Sequence, residues 1–308
     1  MDALRGLLDE GVHPSSMQPA KGVHVTIPWS LLRNDVAMVL PVPGDARSVF
    51  VIPWDEHTYV GTTDTAYAGA LDAPHCTAND VEYLLGAVRA ATTVPISADD
   101  VVGSWAGLRP LLRGTSRTRT ADLSRRHAVR VAPSGVVTVT GGKLTTYRRM
   151  AADAVDAAQA LLPGRAEPSA TKTLRLAGSE GVPTPTAALT SPRTHRPRTR
   201  SEHLAGRYGS EARAVEALAR STPGGDEPLV SGLPYLKAEA VYAVREEMAS
   251  CLDDVLSRRT RALLLDREAT AAAAPIVAEL LEAELGWDDA RTRAEIDTFA
   301  TIVAAERC

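Results

Sequence analysis

The 308-residue sequence has few aromatic residues, few cysteines and no long apolar run. Only two phenylalanines are present, so a hydrophobic core has to rely on Val, Leu, Ile and Ala. The three cysteines (Cys76, Cys251 and Cys308) lie far apart, without the spacing of metal ligands or of a disulfide framework. This favours a reducing, cytoplasmic setting and predicts no metal site. No apolar run approaches the roughly 18 residues of a transmembrane helix, and we expect no membrane-spanning segment and no signal peptide.

Positive charge is also limited, and it is carried mainly by arginine. The net charge of −4 gives no general case for nucleic-acid binding. Four of the 34 basic residues are lysines: Lys21, Lys143, Lys172 and Lys237. The sequence contains no G-x-G-x-x-G, no Walker motif, no G-x-S-x-G and no H-E-x-x-H. Neither the common nucleotide-binding loops nor the common hydrolase and zinc motifs therefore indicate a function.

The pattern of apolar residues predicts strands first and helices later. Short β-branched runs predict an antiparallel sheet, with strands at Lys21–Pro28, Val36–Pro41, Ser48–Trp54 and Thr58–Thr63. A capped helix should follow from Thr77 to about Ala91. After it we expect a strand at Asp100–Trp105, a hairpin of His127–Ala132 with Val136–Thr140, and a helix from Lys143 to about Leu162. The apolar pattern also predicts one short helix before Gly11 and, from Ser201 on, helices at His203–Ser221, Leu236–Leu256, Thr270–Leu285 and Asp289–Ala305. Three regions result: a sheet-containing domain over 1–162, a linker over 163–200 and a helical domain over 201–308.

The end of the hairpin carries the clearest chemical signal. A buried strand, Val136–Thr140, leads through Gly141-Gly142 into Lys143-Leu144-Thr145-Thr146, where a helix is expected to begin. A helix N-terminus presents free N–H groups and a positive dipole end, and glycine lets backbone approach a ligand closely. Such a loop can hold an anion or an electron-rich ring edge. A Gly-Gly pair that serves only packing is an equally good interpretation of these residues.

Four further positions have side chains suited to chemistry. His24 lies in a strand and could accept a proton at neutral pH, although a lone strand histidine is more often structural. Arg109 follows a strand and precedes Pro110, a place from which it could bind a carboxylate or a phosphate or form a structural ion pair. Arg125 and His127 flank the next strand and leave the same alternatives open.

The linker ends in a basic run, with Arg193, Arg196, Arg198 and Arg200 around His195. A run of this kind usually forms a solvated surface. Contact with acidic lipid head groups is the sharper alternative.

Taken together, the motifs closely resemble those of FAD-dependent glycerol-3-phosphate dehydrogenases. The resemblance is carried by KGVHVTIP (21–28), VFVIPWDEHTYVGTTDT (49–65), DDVVGSWAGLRPLL (99–112), LSRRHAV (123–129), SGVVTVTGGKLTTYRRMAADAVD (134–156) and EPLVSGLPYLKAEAVYAVREEMASCLDDVLSRRTRALLLDR (227–267). It implies a mixed α+β and α/β fold, in which an antiparallel substrate-domain sheet and the last strand and helix of a flavin domain precede an all-helical C-terminal domain.

The resemblance also implies an activity. Such an enzyme oxidises sn-glycerol 3-phosphate to dihydroxyacetone phosphate, with hydride passing to N5 of FAD and electrons going on to a quinone at the membrane surface. By position, His24 matches the histidine expected to accept the C2 hydroxyl proton, and Arg109 matches the arginine expected on the phosphate. Arg125 joins these two in the predicted substrate site, and Lys143 joins them as a catalytic residue. The predicted flavin-binding residues are Gly141, Gly142, Lys143, Leu144, Thr145 and Thr146.

Two departures from the family pattern qualify this expectation. The first strand and Gly-rich turn, which bind the FAD diphosphate in the family, are not found, and we expect the sequence to begin about halfway through such an enzyme and to be inactive alone. Arg126 stands where an acidic residue is expected. The alternatives are a non-catalytic remnant or interaction module and a related flavin-dependent amine or amino-acid oxidase. Homodimerisation and attachment to the inner face of the cell membrane are left open.

Overall fold

A computed structural model describes residues 17–112, 127–164, 167–181 and 199–307. The predicted helix before Gly11, Arg125, Arg126 and most of the basic run lie outside these residues. The chain forms two compact units. The first unit lies within Met1–Gly22, Asp64–Pro74 and Gly107–Arg175, and the second within Val23–Thr63, His75–Ala106 and Leu176–Cys308.

Most of an antiparallel sheet lies in the second unit. Its strands are β1 (Met17–Pro28), β2 (Met38–Pro41), β3 (Ser48–Trp54), β4 (His57–Gly61) and β6 (Gly103–Leu112), and the order is β2-β3-β4-β1, with β6 also pairing with β1. Strands β1 and β6 continue into the first unit. Alternation sets two faces, because successive side chains of a strand point to opposite sides. One face carries Val23, Val25 and Ile27, all completely buried. The other face carries His24 and Thr26.

Helix α2 (Ala78–Ala91) covers the first of these faces, after a single short turn, α1 (Trp29–Leu32), at the end of β1. Its buried stripe includes Val81, Leu84, Leu85 and Val88. The helix begins at Thr77, where the hydroxyl accepts from the Asp80 N–H and the Asp80 carboxylate accepts from the Thr77 N–H. This reciprocal capping box explains why the predicted and observed helix bounds agree.

The second unit continues into a helical region. Its helices are α4 (Arg200–Tyr208), α5 (Ala212–Ser221), α6 (Lys237–Glu247), α7 (Ala262–Leu265), α8 (Arg267–Leu285) and α9 (Asp289–Ala305), with a π-helical turn at Asp254–Arg259. The prediction of one helix over Leu236–Leu256 is wrong. The chain leaves α6 at Met248, which has a left-handed φ of 59° and is 87% exposed. Met248 therefore does not belong to the buried stripe that its spacing from Val244 and Leu252 predicts.

Within the second unit, the backbone of β6 at Gly103 lies very close to the backbone of the helical region at Leu264. A Cβ on Gly103 would lie 2.6 Å from the carbonyl carbon of Leu264 and 2.8 Å from the Thr26 hydroxyl. The Thr26 hydroxyl donates to the carbonyl oxygens of Gly103 and Leu264, and the Arg267 N–H donates to the Val102 carbonyl at 3.0 Å. Glycine at 103 is needed because two backbones meet there.

The first unit contains a short strand, β5 (Thr65–Ala66), which pairs with β1 through Ala20↔Ala66 and Lys21↔Thr65. It also contains the predicted hairpin, as β7 (Ala128–Val131) and β8 (Val137–Thr140), followed by helix α3 (Tyr147–Gln159). All four residues of β8 are half-buried. The strand is therefore more exposed than the prediction of a buried strand requires.

The antiparallel sheet, the hairpin–helix segment and the helical C-terminal region confirm the predicted mixed fold class. The predicted domain bounds of 1–162, 163–200 and 201–308 stay a prediction. Contrary to the expectation from cysteine spacing, Cys76 is buried and disulfide-bonded. In the part of the chain that the structure describes, no helix combines the length and the apolar character that a membrane crossing requires.

Candidate active site

His24 lies on the sheet face of the second unit that faces away from α2. Its register partner on β4 is Gly61. The imidazole stacks on the indole of Trp105, with ring centroids 4.8 Å apart and planes 7° apart. The ring of Tyr59 meets it edge-on at 6.0 Å. The histidine is therefore held in a group of rings on a rigid sheet.

Sequence reasoning missed this group of rings. Trp54 completes it, with edge contacts to Tyr59 at 5.9 Å and to Trp105 at 6.4 Å. Trp54 also packs against the core of the helical region. Two of the four tryptophans of an aromatic-poor chain lie in the quoted motifs around positions 54 and 105. Their co-occurrence with His24 is a signal that could have drawn attention to them.

Arg109 lies on β6, in the part of that strand that belongs to the first unit. Its Nη1 donates to Oδ1 of Asp64 at 3.2 Å, and both side chains are largely buried. Asp64 directly precedes Thr65, the register partner of Lys21, whose side chain is also buried. A guanidinium that is fixed by a carboxylate in this way is oriented before any ligand arrives. The structure thus realises the ion-pair alternative at Arg109, and a second role on phosphate stays a prediction.

The Gly141–Thr146 loop belongs to the first unit. Gly141 and Gly142 both have positive φ, 75° and 82°. Residues Leu144–Thr146 form a 3-10 turn before α3, rather than the first turn of the predicted helix. In this turn the Lys143 N–H donates to the Thr146 hydroxyl at 3.1 Å, and the Thr146 hydroxyl donates back to the Lys143 carbonyl at 3.0 Å.

One of the two glycines, Gly142, packs against α3. A Cβ on Gly142 would lie 2.7 Å from Cε of Met150 on α3 and 3.3 Å from Cβ of His127. The positive φ of Gly142 favours glycine there, whereas the flexible end of the Met150 side chain could move to admit a Cβ. The two alternatives weighed from sequence for the Gly-Gly pair, packing and ligand binding, both stay predictions.

The residues that follow are compatible with a flavin. Lys143, Leu144, Thr145 and Thr146 are exposed, Leu144 to 87%, and so is Tyr147 at the start of α3. Apolar side chains beside a lysine and a helix N-terminus suit a flat ring that has an electron-rich edge. A role of these residues in binding FAD stays a prediction.

An ion pair beside this loop was not assigned from sequence. Nε2 of His127 lies 2.8 Å from Oδ2 of Asp153, whose other oxygen accepts from Nε of Arg149 at 2.9 Å. The hydrogen bond with His127 lowers the pKa of Asp153 below its ordinary value. This hydrogen bond connects the residue before β7 to α3, on either side of the Gly141–Gly142 turn.

The candidate residues are divided between the two units. His24 lies in the second unit, Arg109 and the Gly141–Thr146 loop lie in the first, and Arg125 lies outside the described residues. Within the described ranges, no group of three or more His, Cys, Asp or Glu side chains is arranged to hold a metal ion.

A buried carboxylate in the helical region was also missed. Glu239 of α6 has no exposed surface and accepts hydrogen bonds from three groups: His203 Nε2 at 3.0 Å, the Tyr208 hydroxyl at 2.8 Å and the Leu236 N–H at 2.8 Å. Arg207 adds an ion pair at 3.5 Å. Burial raises the pKa of Tyr208, and it raises that of Tyr235 to about 12. Since every partner is a donor to a helix-borne carboxylate, this cluster joins α4 to α6.

Comparison with known proteins identifies the family. Residues 2–148 match the model of the FAD dependent oxidoreductase family, and residues 169–292 match that of the C-terminal domain of alpha-glycerophosphate oxidase. Over 94% of its length the chain is 40% identical to glycerol-3-phosphate dehydrogenase 2 of Mycobacterium tuberculosis. The chain belongs to the FAD-dependent glycerol-3-phosphate dehydrogenase family. The resemblance seen in the sequence motifs is thereby confirmed.

Members of this family from other organisms agree with the assignment. The mitochondrial glycerol-3-phosphate dehydrogenase of Mus musculus is 34% identical over 96% of the chain. The glycerol-3-phosphate dehydrogenase from Bacillus halodurans, solved in complex with FAD, has a TM-score of 0.81 and 28% identity, and the match covers 100% of this chain and 60% of that one. The chain spans 49% of the mycobacterial and 41% of the mouse relative, about half or less of their lengths.

Proposed function

We propose that this protein takes part in the FAD-dependent oxidation of sn-glycerol 3-phosphate to dihydroxyacetone phosphate. The observation that carries the proposal is the 40% identity to a glycerol-3-phosphate dehydrogenase over a span that includes every candidate site residue. When bound, FAD supplies the hydride acceptor of such a reaction.

Residues of this chain accept the proton, bind the phosphate and stabilise the developing charge. His24 accepts the proton of the C2 hydroxyl as the carbon is oxidised, a task suited to an imidazole near neutral pH. Arg109 and Arg125 bind the phosphate group through charge-assisted hydrogen bonds. Lys143, at the mouth of the turn before α3, stabilises negative charge that develops beside it.

The wider setting follows the same proposal. The electron acceptor is a quinone, and the protein works in the cytoplasm or on the inner face of the cell membrane. The basic run before α4 would favour an acidic membrane surface. A homodimer is compatible with this setting.

One assay tests the proposal against its rivals. The purified chain, incubated with FAD, is mixed with glycerol 3-phosphate and a dye acceptor, and with an amino acid or an amine in parallel. The same assay is run on the chain preceded by the corresponding N-terminal part of the mycobacterial relative. Dye reduction with glycerol 3-phosphate alone supports the proposal. Reduction with the amine or amino acid instead indicates the related oxidase, and no reduction in either form indicates a non-catalytic module.

The expectation that this chain is inactive alone stays a prediction. The visible spectrum of the purified chain checks it, because bound flavin absorbs blue light and colours a protein yellow. A yellow protein that reduces the dye without any added segment would contradict it.

A further inference from the structure

We propose that Gly61 and Trp105 are positioning residues that hold the imidazole of His24 in its working orientation. The inference rests on the proposed function for His24, and it adds the two residues that fix the ring. All the contacts that support it lie within the second unit.

The backbone around His24 is fixed first. The Val23 N–H donates to the Thr63 hydroxyl at 3.0 Å, and the Thr63 N–H donates back to the Val23 carbonyl at 3.4 Å. Thr63 is buried. This pair extends the contact between β1 and the chain after β4 past the His24↔Gly61 pair. The chain is thus held to its neighbour on both sides of His24, by the Val23–Thr63 hydrogen bonds and by strand pairing.

Gly61 leaves the space that the imidazole occupies. A Cβ at Gly61 would lie 2.6 Å from Cγ and 2.7 Å from Nε2 of His24, and closer still to Cδ2. Real Cβ atoms do not approach other heavy atoms so closely, and the ring would have to rotate away. Gly61 is not one of the glycines that have a positive φ. The requirement for glycine therefore comes from the His24 ring rather than from the backbone.

Trp105 covers the imidazole in a nearly parallel stack, at 4.8 Å and 7°. Trp105 is itself held by Trp54 and Tyr59, which contact it at 6.4 Å and 6.0 Å. Stacked aromatic pairs are stabilising, and an indole face also favours an imidazole that has taken up a proton. Proton transfer is sensitive to geometry, and a misplacement of about 1 Å can cost about 100-fold in rate. A fixed ring at this position thus has a chemical use.

The test follows the His24 ring directly by NMR in the 308-residue chain with labelled histidines. The His24 signal is identified as the one that disappears in His24→Gln. In Trp105→Leu it should lose the ring-current shift caused by the indole, and in Gly61→Ala it should move because the ring is displaced. Trp105→Phe should restore most of the shift. The matched controls are Trp287→Leu, in the helical region, and Gly86→Ala, where the added Cβ would lie 3.9 Å from Arg89.

A kinetic arm uses whichever form of the protein oxidises glycerol 3-phosphate. Trp105→Leu and Gly61→Ala should lower kcat about 10- to 100-fold with KM within about twofold, and Trp105→Phe should recover most of kcat. A His24 signal that stays in place in both folded variants overturns the inference, and so does an unchanged kcat. If no form oxidises glycerol 3-phosphate, the proposed function fails, and the NMR signals still decide whether Gly61 and Trp105 position the ring.

Discussion

Arg109 is oriented by Asp64, and its role on a ligand can be separated from this structural one. In an active form of the protein, Arg109→Ala should raise KM for glycerol 3-phosphate, because a charge-assisted hydrogen bond to phosphate contributes about 1.5–3 kcal/mol. FAD affinity should change little. Arg89→Ala, which removes another ion-paired arginine, on α2, is the control. Steady-state kinetics measure the effect, and wild-type KM and kcat in Arg109→Ala would remove Arg109 from the phosphate site.

Lys143 is exposed and lies just before the 3-10 turn that leads into α3. Its substitution should change kcat rather than KM. Lys143→Ala should reduce kcat about 100-fold and leave KM almost unchanged, because the charge it stabilises develops only during the reaction. Stopped-flow measurement of flavin reduction gives the rate of this step. Lys172→Ala, another exposed lysine, should have no effect. Reduction at the wild-type rate in Lys143→Ala would show that this lysine is only solvated.

His57 on β4 makes the stability of the second unit depend on pH. Burial lowers the pKa of His57 below its ordinary value of 6.5, although the Leu265 backbone and the carboxylates of Glu56, Asp266 and Asp55 oppose this. The unfolded chain therefore binds the proton more readily, so stability is complete above about pH 6.5 and is lost as the pH falls from there towards the lower folded-state pKa.

Urea unfolding at about pH 7.5 and about pH 5.5 checks the contribution of His57. His57→Gln should lose less stability between the two pH values than the wild type does, whereas His75→Gln, at an exposed position, should behave as the wild type. An equal loss in wild type and His57→Gln would exclude this histidine as a source of the pH dependence.

Among the elements, α4 and α6 depend on Glu239. Glu239→Ala would leave buried donors of His203 and Tyr208 without their acceptor, and breaking a buried cluster of this kind costs about 3–5 kcal/mol. The free energy of unfolding should fall accordingly, and the helical signal in circular dichroism should be lost at lower temperature. Glu246→Ala, on the exposed side of α6, should change stability by less than about 0.5 kcal/mol. Similar stability of the two variants would contradict the proposed role of Glu239.

The bounds of the elements show where local sequence is sufficient. β3, α2 and α9 are found where they are predicted, because β-branched residues, the Thr77 capping box and the Asp288 cap are all encoded within a few residues. Predicted helices were too long where the chain leaves the helix with positive φ, at Gly209 and Met248. The apolar periodicity of the sequence continues across such points, whereas the helical conformation of the backbone ends there.

The candidate site was predicted residue by residue but not as an arrangement. The His24 stack, the Arg109–Asp64 pair and the His127–Asp153 pair each join residues 26 to 81 positions apart. Register and tertiary packing decide such contacts, and neither can be obtained from a local pattern. The resemblance to a family supplied the roles of the residues, and the structure adds which neighbours hold them.

At the scale of the whole molecule, the sheet and the helical region of the second unit should unfold together. Gly103→Ala would place a Cβ 2.6 Å from the Leu264 carbonyl carbon, where both partners are backbone and cannot easily move. Overpacking of this kind costs about 1–3 kcal/mol. Circular dichroism and tryptophan fluorescence should report one shared transition at lower urea concentration.

Gly107→Ala is the matched control, since nothing lies within 4 Å of a Cβ at that position of β6. Its transition should stay close to that of the wild type. Separate transitions for helix and sheet signals, or an unshifted midpoint in Gly103→Ala, would contradict the joint unfolding of the two parts.

The close approach at Gly103 also limits which segments of this chain can be exchanged with those of a relative. A crossover between the sheet and the helices would join a β6 from one parent to a Leu264 segment from another. A chimera would keep this contact only if it has glycine at position 103. It would also need threonine at position 26, whose hydroxyl bonds to the Gly103 and Leu264 carbonyls. In a library of chimeras with a relative, we therefore expect few folded members among those that place a residue other than glycine at 103 beside this chain's Leu264.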